Sequence, residues 1–209
     1  MDWKRNWAGN FQYSTTNWHE PESVEEVQQL VSSLKKLRVI GTRHSFNRIA
    51  DSKENMVSLQ KLNKVLSIDR EKEPVTVEAG VKYGDLCAVL QQHGYALHNL
   101  ASLPHISVAG ACATATHGSG NGNQNLAAVV RAIEVVTADG SIVTFSKEKS
   151  VEELHGAVVG LGGLGVVTKL TLDVHPSHQM RQDVYENLPL AQLEHDFDTI
   201  FLVPIALVC

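Results

Sequence analysis

The chain has 209 residues, 43% of them hydrophobic and 20% charged, with a formal net charge of −5, which is long enough for one large domain or two small ones. With 18 Lys+Arg against 23 Asp+Glu and only 6% aromatics, it has neither a basic field for phosphate backbones nor many stacking platforms for single strands. Nucleic acid is therefore not the expected partner. Cys87, Cys112 and Cys209 are widely spaced and contain no CxxC pair, so neither a disulfide framework nor a zinc knot is expected, and a reducing, cytoplasmic setting fits. The N-terminal Met1-Asp2-Trp3-Lys4-Arg5-Asn6 has charges with no apolar run behind them, unlike a signal peptide. The apolar tail from Ile200 to Cys209 is interrupted by Pro204 and too short to cross a bilayer.

In chain order, Ser23-Val24-Glu25-Glu26 is a capping box. Val24, Val27, Leu30, Val31 and Leu34 follow at helical spacing, predicting an amphipathic helix that ends at Lys35-Lys36. Leu37 to Gly41 reads as a short strand running into Thr42-Arg43-His44-Ser45, and Met56 to Leu59, Val65 to Ile68 and Val75 to Ala79 as further strands. Tyr83 to Gln92 predicts a second helix closed by Gly94. Leu100 to Asn125 follows neither period and is expected to be irregular and a poor core element. Val129 to Ala138 and Ser141 to Phe145 flank Asp139-Gly140, a type I′ hairpin signal. Ser150-Val151-Glu152-Glu153 opens a short helix, and Gly160 to Gly165 leads to a strand from Val166 to Val174 that stops at His175-Pro176. Mixed βα units and hairpins predict an α+β fold, with a boundary near Pro176 to Gln182 dividing 1–176 from 177–209.

Three glycine-bearing clusters carry the chemistry. Val39-Ile40-Gly41-Thr42-Arg43-His44-Ser45 is a strand emptying into a small polar turn, whose successive N–H groups suit a diphosphate and which delivers His44 at a strand end. A turn histidine bonded only to its own backbone is the plainer alternative. The stretch from Ala101 to Gly118 is nearly all small residues. It lets a flat ligand approach the backbone, with Ser102, Ser107, Thr114 and Thr116 as hydroxyl partners. Gly160-Leu161-Gly162-Gly163-Leu164-Gly165 fits GxGxxG, but a helix precedes it and a β-branched run follows, the inverse of the dinucleotide fingerprint. A tight turn, or a backbone lying close to a ligand, fits better. His93, His98, His105 and His117 have no HExxH or His-x-His companion, and Ser102 with His105 has no GxSxG elbow, so neither a metal site nor a hydrolase is expected.

Gly41-Thr42-Arg43-His44-Ser45-Phe46-Asn47, the run ASLPHISVAGACATATHGSG over 101–120, and Leu161-Gly162-Gly163-Leu164-Gly165-Val166-Val167-Thr168 together resemble the vanillyl-alcohol-oxidase (PCMH) type of FAD-binding domain. More narrowly they are similar to alditol (xylitol) oxidases, relatives of the aldonolactone oxidases, and Asn6-Trp7-Ala8-Gly9-Asn10 fits the same subgroup. The resemblance implies a two-subdomain α+β FAD-binding domain, with most of the substrate (cap) domain falling beyond this chain. It implies FAD bound by Val39, Ile40, Gly41, Thr42, Arg43, His44 and Ser45, and by Ser102, Ser107, Gly110, Ala111, Cys112, Ala113, Thr114, Gly165 and Val166. His44 would carry a covalent bond to the flavin's C8 methyl, and Ser102 would stand near the substrate as the catalytic candidate. Arg43 stands where many relatives have glycine.

The implied reaction oxidises a polyol's primary alcohol to an aldehyde and reduces oxygen to hydrogen peroxide. The expected partners are the polyol and oxygen, with no nucleic acid or membrane, and the chain is expected to be a monomer. An FAD-binding fragment without catalysis, and an aldonolactone oxidase or dehydrogenase, remain as alternatives.

Overall fold

A computed structural model of the chain describes residues 4–69, 74–120, 122–181, 184 and 186–201. Of the apolar tail, residues 202–209 lie outside the described residues, as do Met1 to Trp3 and Gln182 at the expected boundary. In chain order the elements are β1 (Trp18–His19), α1 (Val24–Ser33), β2 (Arg38–Ile40), β3 (Met56–Ser58), β4 (Val65–Ile68), β5 (Pro74–Glu78), α2 (Tyr83–Gln92), β6 (Tyr95–Ala96) and α3 (Val108–Ala113). A 3-10 turn (Leu126–Val129), β7 (Val130–Val136), β8 (Ile142–Ser146), α4 (Val151–Val158), β9 (Val166–Asp173), β10 (His175–Pro176), α5 (Leu190–His195) and α6 (Phe197–Phe201) complete the described chain.

Two larger sheets organise the described residues, with a two-stranded ribbon of β6 and β10 beside them, in keeping with an α+β fold. The smaller is parallel, in the order β1-β3-β2. The larger is antiparallel, β4-β5-β9-β7-β8. Its strands alternate as a half-buried sheet should: Val75 and Val77 of β5, and Val166, Thr168, Leu170 and Leu172 of β9, all point into the core. The first helix is laid against it by Val27 and Val31, both buried, and by the Gln28 side-chain amide, which donates to the Gly140 carbonyl at 2.7 Å. Both serine caps form: Ser23 Oγ accepts from Glu26 N–H, and Ser150 Oγ from Glu153 N–H.

Two expectations are corrected. The Asp139-Gly140 turn is not type I′, because only Gly140 has positive φ (82°). Instead Gly140 N–H donates to Thr137 O, and Thr137 N–H to Ser141 O, a longer loop with glycine at its left-handed position. Asp139 takes Thr137 and Ser141 as hydroxyl donors, which holds its carboxyl down at about 2. The second correction concerns the small-residue stretch, which contains α3 and contributes Val108, Ala111 and Cys112 to the main core. Small residues suffice there because the helix backbone itself comes close: a Cβ on Gly110 would meet Ser107 Oγ at 2.8 Å. Beyond Pro176, which pairs back onto Tyr95, the described residues are mostly exposed, including Met180, Val184 and Leu190.

Candidate functional site

Parallel strands open ligand crevices at their carboxyl ends. Here β2 ends in the turn 41–45 and β3 ends at Ser58. Their ends, with α3 and the turn before β9, enclose a cleft of about 400 Å³. Arg38, Arg43 and Lys82 stand on its wall, and among the described residues no Asp or Glu does. In a chain of net charge −5, that local inversion favours an anionic ligand.

The turn after β2 is built for close approach. A Cβ on Gly41 would stand 2.5 Å from Ser107 Oγ and 3.5 Å from the Gly110 Cα, so the turn and α3 meet backbone to backbone. Ser107 N–H donates to Thr42 Oγ1 at 3.2 Å, and the same hydroxyl lies 3.0 Å from His44 Nδ1. Among the described residues the backbone N–H groups of Thr42, His44 and Ser45 donate to no protein oxygen, leaving donors for a bound anion. Arg43 holds φ at 66°, which makes the turn left-handed at that point.

His44 stands on the cleft wall. Its Nε2 is buried with no hydrogen-bond partner among the described residues. Its ring stacks on Trp7 (centroids 5.0 Å, planes 27° apart) and lies 4.8 Å from His105. Burial, then the His105 and Arg43 charges, hold its pKa down at about 4 against the pull of Thr42, so the imidazole is neutral at ordinary pH. Tyr13, also on the wall, is pushed up to about 12 by burial and stays a neutral phenol.

The structure brings Val39, Ile40, Gly41, Thr42, Arg43, His44, Ser45, Ser107, Gly110, Ala111, Ala113, Thr114 and Gly165 to the cleft wall. It does not bring Ser102, Cys112 or Val166 there. Ser102 is exposed outside the lining. The Cys112 thiol faces inward, 3.7 Å from both Tyr83 Oη and the Leu126 carbonyl, and burial pushes it up to about 12. Val166 points into the core, since alternation along β9 gives the cleft Gly165 and Val167 instead. Wall residues that the sequence did not single out as cofactor-binding include Trp7, Tyr13, Arg38, Gln60, Gly80, Lys82 and His105. Of these, Gly80 was the detectable one: a Cβ there would collide with the Leu59 carbonyl, the mark of a turn glycine after a strand.

These features fit a flavin dinucleotide: glycine-lined walls for a flat ligand, open N–H donors and cations for a diphosphate, and on the wall an imidazole nitrogen with no partner among the described residues. Comparisons with known proteins agree. Residues 18–146 match the FAD binding domain family. Alditol oxidase from a Streptomyces species is 44% identical over 198 residues, covering 93% of this chain and 47% of that protein. L-gulonolactone oxidase of Bos taurus is 34% identical, covering 87% of this chain and 42% of its own length. The mitochondrial L-galactono-1,4-lactone dehydrogenase of Arabidopsis thaliana is 35% identical, with coverages of 86% and 30%. Among solved structures, an alkyldihydroxyacetonephosphate synthase superposes with a TM-score of 0.68 at 21% identity, over 76% of this chain and 31% of that one, and speaks for the fold alone. The chain thus spans less than half the length of these relatives. It belongs to the FAD-binding domain family, of the vanillyl-alcohol-oxidase type that its motifs resemble, and FAD is its cofactor.

Proposed function

We propose that the chain supplies the flavin half of an oxidase that converts the primary alcohol of a xylitol- or sorbitol-like polyol to an aldehyde. Oxygen is the acceptor and hydrogen peroxide the second product. The observation that carries the reading is His44: a neutral imidazole whose buried Nε2 has no hydrogen-bond partner among the described residues, on the wall of a cleft that also carries Arg38, Arg43 and Lys82. The 44% identity to an alditol oxidase supports the substrate class.

FAD, when bound, supplies the acceptor for the substrate's hydride. Gly41 to Ser45 would hold its diphosphate through backbone N–H groups, with Ser107 and Gly110 also on the wall. His44 would carry the covalent bond to the flavin's C8 methyl, its neutral state leaving a nitrogen lone pair for that role. Ser102, exposed and outside the cleft lining, would face the substrate. The chain acts on small molecules as a monomer in the cytoplasm, where its free thiols Cys87 and Cys112 stay reduced.

A second reading, an aldonolactone oxidase or dehydrogenase, is favoured by the 34% and 35% identities to enzymes of that kind. Peroxide release from FAD-loaded protein separates the readings. Release with xylitol or sorbitol but not with L-gulonolactone or L-galactonolactone is the expected result, and the reverse preference supports the lactone reading. Bound flavin with no release from any of them contradicts catalysis by this chain and leaves an FAD-binding unit.

A further inference from the structure

The segment 4–13 is fastened to the cleft, and specifically to the turn that carries His44. Trp7 N–H donates to the Arg43 carbonyl at 2.8 Å. The Arg43 guanidinium returns a bond to the Arg5 carbonyl at 3.2 Å. Asn6 Nδ2 donates to Ser45 O at 3.1 Å, and Asn10 Nδ2 to Phe46 O at 3.0 Å. The segment is closed on itself by an antiparallel bridge between Arg5 and Gln12 and by Gly9 at φ 71°. Four bonds from a short loop therefore converge on residues 43–46, while Trp7 itself stays 54% exposed. Burial of apolar area is thus a small part of what Trp7 does there.

Its other face meets His44. Two contacts define an imidazole: one sets which edge points where, the other sets the plane. The Thr42 hydroxyl, 3.0 Å from Nδ1, sets the edge. The Trp7 ring, stacked at 5.0 Å and 27°, sets the plane. His105 closes the triangle, 4.8 Å from His44 and 6.0 Å from Trp7, so the ring has little room to turn. A nucleophile held in one orientation reacts faster than one that must find it, because the entropy of alignment is already spent.

We propose that segment 4–13 is a positioning strap for the flavin site, in which Trp7 fixes the plane of the His44 imidazole for bond formation, a role that rests on the covalent reading above. Attachment joins an imidazole nitrogen of His44 to the C8 methyl carbon of the flavin. One C–H proton and one imidazole N–H proton are released. The two electrons left behind reduce the flavin, and dioxygen then takes them up. Trp7 exchanges no atom in this step and bears on it through the His44 ring stacked against it.

The test compares the wild-type chain with Trp7→Ala, Trp7→Phe and Asn10→Ala. Purified FAD-free protein is mixed with FAD in air, and the flavin that stays with the chain on denaturing electrophoresis is followed in time. With FAD saturating for each variant, misplacing a reacting group is expected to slow attachment by about tenfold in Trp7→Ala, whereas Trp7→Phe keeps an aromatic face and stays close to wild type. Asn10→Ala releases one anchor and shows a smaller slowing in the same direction.

A second arm needs no attachment. The His44 imidazole, assigned by its loss in His44→Gln, is titrated by NMR in FAD-free protein. With Arg43 and His105 still facing it, the wild-type ring titrates near 4, and Trp7→Ala moves it toward the ordinary 6.5 as water reaches it. Attachment at the wild-type rate in Trp7→Ala, or a His44 titration that does not move, overturns the proposal. A wild-type chain that never retains flavin contradicts the covalent reading instead. The titration then decides the strap alone: a shift in Trp7→Ala supports it, and an unmoved titration overturns it.

Discussion

Arg43 holds a left-handed backbone conformation, φ 66°, that costs an ordinary side chain on the order of 1 kcal/mol. It keeps that conformation while its guanidinium reaches back to the Arg5 carbonyl, so strain in the turn is coupled to the strap. Arg43→Val, β-branched at positive φ and without the guanidinium, should lower stability by about 1–3 kcal/mol in urea unfolding. Arg43→Gly relieves the strain but loosens the strap and the unfolded chain, so its midpoint should lie above that of Arg43→Val. Equal midpoints for the two would contradict a strained turn. His44, next in the chain, makes a pH prediction. Its folded pKa of about 4 lies below the ordinary 6.5, so between those values the unfolded chain binds the extra proton. Its contribution to stability is present above pH 6.5 and lost as pH falls toward 4. The melting temperature of FAD-free His44→Gln should therefore fall less steeply over that window than wild type; parallel curves would contradict it.

At the scale of elements, the helices were legible where a serine cap and a 3.6-residue period coincided, as in α1 and α4. The long strands β5 and β9 were legible through alternation. Strands β1, β6 and β10 span two residues each and carry no period to read. The third helix escaped because small residues give no apolar stripe, yet its geometry explains which parts of that motif reach the cleft. Gly110, Ala113 and Thr114 recur at helical spacing on the cleft side, while Val108 and Cys112 turn to the core. A contiguous motif read as a list of contacts therefore overstates the wall. Gly165 shows the same interplay: at φ 143° it lies against the Val136 carbonyl of β7, where any Cβ would collide, and it also faces the cleft. Gly165→Ala should cost about 2–4 kcal/mol and weaken FAD binding with it. Thermal melts and flavin titration check this, and a fully stable variant would contradict the close approach.

At the scale of the molecule, the site draws on segments far apart in sequence: strap, β2 turn, α3 and the turn before β9. His44 and the diphosphate turn could be read from one contiguous motif. Trp7 and His105 could not be placed beside His44, because their adjacency exists only once the parallel sheet and α3 have packed. The inversion of charge at the cleft was likewise hidden in an overall acidic composition. The central proposal is that FAD lies along the cleft with its flavin end joined to His44. The most direct measurement is flavin fluorescence of the FAD-loaded protein after denaturing electrophoresis, for wild type beside His44→Ala. A fluorescent wild-type band that is dark in His44→Ala is the predicted result. A wild-type band whose flavin washes out, or a His44→Ala band that keeps it, contradicts the claim.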